Sequence, residues 1–291
     1  MFVQTNSLSA TRKYFNDRLS EMFSTRELRS MFNLLAQERL GLSSSDLILQ
    51  NDQLLSESDL LFFRSAVKKL QSNEPFQYVL GKTEFMDLSF ITDKRALIPR
   101  PETEELVRWI LEEHQDKTGL SFLDLCSGSG CISISLDHYL PSSKGYAIEY
   151  SEQALALSKE NSSLNRTNIE WLMGDVLRPN VFEGFSESSF DFWVSNPPYV
   201  LYSDKLSMSK NVLDHEPHMA LFVEDTDPLI FYKEISVKAL RYLKQGGNLY
   251  FEIHEEKGSD VCDLLARLGF KNVQLKMDLQ GKERMVRAEK P

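Results

Sequence analysis

Phe122-Leu123-Asp124-Leu125-Cys126-Ser127-Gly128-Ser129-Gly130 is a short apolar run followed by a loop of small residues, and Ile132, Ile134 and Leu136 then open an apolar helix. A strand that ends in glycines before a helix is built to receive a ligand, because glycine lets backbone N–H groups approach it closely. The texture repeats outward from this point. Gly145 to Glu149 reads as a second strand and Ser151 to Asn161 as a helix, and Ile169 to Leu172 is a third strand ending at Gly174-Asp175. Phe190 to Val194 is a fourth, running into Ser195-Asn196-Pro197-Pro198-Tyr199. Phe231 to Leu243 reads as helix, and Gly246 to Ile253 as a turn and fifth strand. Such alternation predicts an α/β fold, Rossmann-like, with a mainly parallel sheet, helices on both faces and ligands beyond the strand carboxyl ends.

Upstream, apolar residues recur at three- and four-residue steps (Tyr14, Phe15, Leu19, Met22; Leu28, Met31, Phe32, Leu35), so residues 10–71 read as helices. Ser56-Glu57-Ser58-Asp59 suits a capping box. Thr83 to Ile91 reads as an extended hairpin. Ile98 to Glu104 opens a helix, with Pro101 in its first turn and acids at its positive end. The expected organisation is a helical recognition domain over 1–80, a hairpin linker over 81–99 and a catalytic domain over 100–291.

The loop from Asp124 to Gly130 carries the first chemical signal. Glu149 follows the glycines by about 20 residues, where an acid accepts hydrogen bonds from ribose hydroxyls. A nucleoside-containing cofactor is therefore expected. The spacing is not GxGxxG, and the GK[ST] of the chain, Gly81-Lys82-Thr83, lies outside this loop with Phe76 where a triphosphate loop has its first glycine. D-x-x-x-G-x-G instead resembles the loop of S-adenosylmethionine methyltransferases. That resemblance assigns Cys126, Ser127, Gly128, Ser129 and Gly130 to the methionine end, and Asp175 with Val176 to the adenine.

Asn196-Pro197-Pro198-Tyr199 is the second signal. The prolines fix φ, remove two N–H donors and hold the preceding residues extended. A rigid edge of acceptors should result, made by the Asn196 side-chain oxygen and the Pro197 carbonyl, with Tyr199 placed to stack on a planar group. Two such acceptors suit both hydrogens of a planar –NH2. As a delocalised nitrogen attacks a sulfonium methyl it gains positive charge, and its N–H bonds become stronger donors. The acceptors then bind the transition state more tightly than the ground state. Asn196, Pro197 and Tyr199 are the candidate catalytic residues, and Asn196 also borders the cofactor.

Composition narrows the classes. Hydrophobic residues make up 42% and charged residues 26%, which argues against disorder. No apolar run approaches the ~20 residues of a membrane span. Met1 to Ala10 lacks a secretory pattern, and Asp17, Glu21 and Glu27 are out of place in a mitochondrial presequence, so a cytoplasmic protein is expected. Three cysteines, Cys126, Cys131 and Cys262, form no CxxC pair. His215 and His218 have an HxxH spacing, but Pro217 between them breaks helix geometry, so no metal site is expected. The net charge of −10 arises entirely after residue 80, and no basic run is present. A direct nucleic-acid substrate is therefore not expected.

Taken together, these stretches resemble the release-factor glutamine methyltransferases, the HemK/PrmC family. Glu74 to Gly81 looks like that family's domain junction, and Leu97 to Glu104 is close to a hallmark. Glu216-Pro217 with Ala220-Leu221 looks like its EPxxAL stretch, and Asp278, Gly281 and Arg284 match its closing D-x-x-G-x-x-R. The resemblance implies N5-methylation of the glutamine in the Gly-Gly-Gln motif of class I peptide chain release factors, with S-adenosylmethionine as donor. By that analogy Asn196 and Pro197 hold the amide, Pro198 and Tyr199 wall its pocket, and Arg100, Pro101 and Glu102 shape the rim with Thr103. A monomer is expected, docking its partner through the helical domain. Three departures stand out: Cys126 where many relatives have glycine, Phe222 to Asp225 in place of a glycine-containing stretch, and His254 where glycine is usual. The rival readings are an adenine-N6 methyltransferase, which would grip a flipped base with the same acceptors, and a cofactor-binding scaffold without turnover.

Overall fold

The computed structural model describes residues 5–291, the side chain of Ser207 apart. The first four residues of the Met1–Ala10 stretch, read above for a secretory signal, lie outside the described residues. The chain divides into two compact units, Met1–Gly81 with Ser209–His215, and Lys82–Met208 with Glu216–Pro291.

The first unit contains α1 (Leu8–Leu19), α2 (Thr25–Leu40), α3 (Asp46–Leu49), α4 (Glu57–Gln71) and α5 (Phe76–Leu80). Its boundaries are set by caps. Ser24 with Glu27 and Ser56 with Asp59 each form a reciprocal capping box, and Gly41 ends α2 in the left-handed region at φ 66°. Phe15, Phe32 and Phe63 fill the core; Phe32 stacks on Phe63 at 5.1 Å between centroids and meets Phe15 edge-on at 5.6 Å.

The second unit opens with the hairpin β1 (Lys82–Phe85) and β2 (Leu88–Ile91). Met86 and Asp87 both have positive φ, 49° and 59°, as a two-residue turn between Phe85 and Leu88 requires. The hairpin expected as a linker belongs to this unit. Buried Asn161 accepts from the Ile91 N–H at 2.7 Å and donates to the carbonyls of Ile91 and Ser129, so β2 is tied to the glycine-rich loop.

Then come α6 (Pro101–His114), β3 (Ser121–Leu125), α7 (Cys131–Tyr139), β4 (Lys144–Glu149), α8 (Glu152–Asn165), β5 (Ile169–Met173), β6 (Phe190–Ser195) and β7 (Val200–Leu201). They are followed by α9 (Lys210–His215, in the first unit), β8 (Phe222–Val223), α10 (Ile230–Tyr242), β9 (Leu243–Glu252), α11 (Gly258–Arg267), β10 (Lys271–Met277) and β11 (Glu283–Glu289). The sheet order is β10-β11-β9-β6-β3-β4-β5. From β9 to β5 the strands are parallel; β11 is antiparallel to β9, and β10 to β11. The α/β expectation is met, and the closing antiparallel pair adds to it. The strand expected to begin after a turn at Gly246-Gly247 instead runs continuously from Leu243. The sheet is buried on both faces: Phe122, Phe192 and Tyr250 face one core, and Trp193, Leu249 and Phe251 the other. Strand order reverses at β3, whose neighbours are β4 and β6, so a crevice opens beyond its carboxyl end.

Candidate active site

A cavity of about 360 Å³ occupies that crevice, within the range of small-molecule sites. Four loops from successive strand ends supply its wall: Cys126 to Ser129 after β3, Glu149 to Ser151 after β4, Gly174 to Leu177 after β5, and Asn196 with Pro198 after β6.

The glycine-rich loop is held in a conformation that suits few side chains. Cys126, Gly128 and Gly130 have φ of 63°, 56° and 82°. Cys126, anticipated as the place where this backbone must accept a Cβ, does so in the left-handed region, which costs a non-glycine residue about 1–2 kcal/mol. Burial pushes its thiol well above the usual range, with the Glu149 charge adding to the effect, which disfavours the thiolate. Gly130 is kept by space: a Cβ there would lie 2.7 Å from Trp171 Cη2. It supports the wall without reaching it.

Glu149 sits at the end of β4, where its Oε2 accepts from the Gly128 N–H and its Oε1 from the Ser151 N–H, both at 2.8 Å. Burial raises its pKa, opposed by the backbone N–H groups of Ser151, Gly128 and Tyr150. Each oxygen keeps a lone pair for a further donor. Asp124, fully buried, is pushed up to about 7 by desolvation, against the opposing hydrogen bond from Ser133. Its Oδ1 and the Ser127 Oγ are buried without a hydrogen-bond partner among the described residues. Loop N–H groups, an acid for ribose hydroxyls and two orphaned oxygens fit a cofactor with a nucleoside and a polar, cationic end. Asp175 Oδ1 accepts from the Leu177 N–H at 2.8 Å and so holds the turn in which Val176 is buried.

The segment Asn196 to Tyr199 leaves β6 after Ser195, whose hydroxyl donates to the Leu125 carbonyl at 2.7 Å. Asn196 and Pro198 reach the wall, while Pro197 is buried and outside it. Asn196 Nδ2 donates to Thr103 Oγ1 at 3.3 Å, which leaves Oδ1 to accept. Tyr199 is not part of the wall. Its hydroxyl donates to Glu252 Oε1 at 3.1 Å, and its ring meets His254 edge-on at 6.0 Å.

Arg100 and Thr103 line the cavity, whereas Pro101 and Glu102 begin α6 without reaching it. Arg100 pairs with Glu216 Oε1 at 2.5 Å, and Glu216 Oε2 accepts from the Ile98 N–H at 3.2 Å. The EPxxAL stretch thus clamps the segment before α6, and Pro217, Ala220 and Phe222 complete that wall. Sequence reasoning did not assign Ala96, Tyr150, Phe231 or Glu252 to the site; none lies in a glycine or proline motif. His215 and His218 have separate surroundings. Nε2 of His215 lies 2.9 Å from the Ser72 carbonyl, and His218 packs edge-on against Phe222.

Known proteins share both units. Residues 12–81 match the family described as PrmC N-terminal domain, and residues 104–218 the family described as methyltransferase small domain. Over 279 residues the chain is 40% identical to the release factor glutamine methyltransferase of Flavobacterium psychrophilum, covering 95% of this chain and 96% of that protein. It is 37% identical over 277 residues to the enzyme of the same name from Bacteroides thetaiotaomicron, covering 95% and 98%. The crystal structure of a methyltransferase from Pyrococcus furiosus superposes with a TM-score of 0.51 at 18% identity, covering 70% of this chain and 89% of that one, a likeness of fold alone.

Proposed function

Because the chain belongs to the release factor glutamine methyltransferase family, we propose that it methylates the side-chain amide nitrogen of a release-factor glutamine, that of the Gly-Gly-Gln motif in class I factors, using S-adenosyl-L-methionine. The observation that carries the site assignment is the Asn196 amide, whose Nδ2 is engaged by Thr103 so that Oδ1 stays free as an acceptor beside the glycine-rich cavity.

Bound S-adenosylmethionine supplies a methyl group made electrophilic by its sulfonium. Ser127, Gly128 and Ser129 hold the amino-acid end, Glu149 the ribose, and the Asp175–Val176 turn the base. Asn196 Oδ1, on the cavity wall, accepts one N–H of the substrate amide, and this bond tightens as the nitrogen becomes cationic; the Pro197 carbonyl, expected as the second acceptor, belongs to a residue outside that wall. Pro197 and Pro198 keep this edge from relaxing, so the amide is presented at small entropic cost. The excess proton leaves to this acceptor or to water. No basic side chain is needed at the nitrogen. Arg100, held by Glu216, walls the entrance. The helical unit serves in docking the release factor.

Incubating the enzyme and labelled cofactor with a release factor, and separately with single-stranded oligonucleotides, tests the assignment by mass spectrometry of the products. A single added methyl on the Gly-Gly-Gln glutamine is expected. Transfer to adenine with none to the protein would reject it.

A further inference from the structure

Glu252 ends β9 in a buried position between two functional loops, and it organises both. Thr103 Oγ1 lies 2.6 Å from Glu252 Oε2, and Tyr199 donates to Glu252 Oε1 at 3.1 Å. Asn196 Nδ2 lies 3.3 Å from the same Thr103 oxygen. Both ends of the Asn196–Tyr199 segment therefore hang on one carboxylate, through a hydroxyl at each end.

The direction of these bonds has a chemical consequence. An asparagine amide turned by half a revolution keeps its shape but exchanges acceptor for donor. An ionised carboxylate only accepts, whereas a threonine hydroxyl has one proton to give and two lone pairs. With Glu252 ionised, the Thr103 hydroxyl donates its one hydrogen bond to the carboxylate, so Thr103 can only accept from Asn196, and this turns Nδ2 inward and Oδ1 toward the substrate. The groups around Glu252 bear on its charge from each neighbouring element. Burial raises its pKa and the Glu102 charge adds to that; the hydroxyls of Thr103 and Tyr199 and the Arg284 guanidinium oppose. Tyr232, whose hydroxyl donates to the Glu252 carbonyl at 3.3 Å, remains protonated because its own burial raises its pKa. Arg284 is fixed by Asp278 at 3.2 Å, which gives the closing D-x-x-G-x-x-R pattern a place in this network.

We infer that Thr103 and Glu252 are positioning residues whose hydrogen-bond chain sets the Asn196 amide with its acceptor toward the methyl-accepting nitrogen. The inference rests on the amide-nitrogen reading of the substrate given above. Its test is steady-state methyl transfer to a release factor by the full-length protein, comparing wild type with Thr103→Val, Thr103→Ser and Glu252→Gln, alongside cofactor affinity and thermal melting. Thr103→Val keeps the side-chain shape but lets the Asn196 amide turn. Its kcat should fall about 100-fold, the scale of a misplaced reacting group, with S-adenosylmethionine affinity and KM for the release factor within threefold of wild type. Thr103→Ser, which restores the hydroxyl, should recover most of the loss. Glu252→Gln removes the charge without opening a cavity, but its amide oxygen can still accept from Thr103, so its kcat should fall between those of the wild type and Thr103→Val. Wild-type kcat in Thr103→Val, or a serine variant as slow as the valine one, would overturn the positioning role. Failure of the wild type itself to methylate the glutamine would overturn the substrate reading instead.

Discussion

Replacing Gly130 by alanine probes the cofactor loop at the point where backbone and packing constraints coincide. At φ +82° an L-residue bears a penalty of about 1–2 kcal/mol. The new methyl would also lie 2.7 Å from Trp171 Cη2, 3.0 Å from Ile134 Cδ1 and 3.1 Å from Ser158 Cβ. Ile134 and Ser158 are fully buried and cannot swing away, so overpacking should add about 1–3 kcal/mol. If the loop yields instead, the Gly128 N–H leaves Glu149 and the penalty moves into cofactor affinity. Urea unfolding and calorimetric titration with S-adenosylmethionine measure the two parts. Gly128→Ala is the comparison for stability: its φ is +56°, but a Cβ there meets no protein atom within 4 Å, so backbone strain alone acts on folding, while its place in the cavity wall adds a separate loss of cofactor affinity. Gly130→Ala should be the worse variant by about 1 kcal/mol or more in the stability of the cofactor-free protein. Equal stability of the two alanines, or a wild-type Gly130→Ala, would refute the packing argument.

His114 is buried against Phe192 at 4.7 Å, and desolvation lowers its pKa to about 4 from 6.5, with Lys117 and Arg287 adding to the shift. On acidification the unfolded chain takes up this proton first, so stability contributed above pH 6.5 is lost as pH falls toward 4, by about 3 kcal/mol at most. His114→Phe should flatten the stability profile over that window in urea melts; parallel profiles would contradict the assignment. Arg100→Ala strands the buried Glu216 carboxylate, whereas Glu216→Gln removes the charge. The arginine variant should therefore be the less stable by about 2 kcal/mol or more in thermal unfolding, and the reverse order would be inconsistent with the clamp.

The parts of the fold that carry the site were legible because their physics is local. Strands β3, β5 and β6 are apolar runs that lead into glycine or proline, β4 ends on the acid Glu149, and a buried parallel strand has few other ways to look. The closing pair β10 and β11 was not read. Lys271 to Met277 does alternate Val273, Leu275 and Met277 with polar residues, but it is exposed along nearly its whole length, so no buried apolar run marks it as one marks the inner strands, and its pairing with β11 is visible only in the fold. Cys126 was marked as the residue that must bear a glycine-like conformation, and it does. Glu252 was read only as a strand end. Its significance depends on Thr103 and Tyr199, which are 149 and 53 residues away along the chain and meet it only after folding. Tyr199 shows the same limit from the other side: its place after two prolines suggested a stacking wall, and the fold turns its hydroxyl inward. The 96–99 wall depends on Glu216, more than a hundred residues downstream.

The most direct test of the amide-gripping edge is single-turnover methyl transfer to the release-factor glutamine by Asn196→Ala at saturating S-adenosylmethionine. The rate should fall about 100- to 1,000-fold, the scale of losing one preorganised hydrogen bond to developing charge, with cofactor affinity near that of the wild type. A rate within a few-fold of wild type would mean that the Asn196 oxygen does not bind the reacting nitrogen.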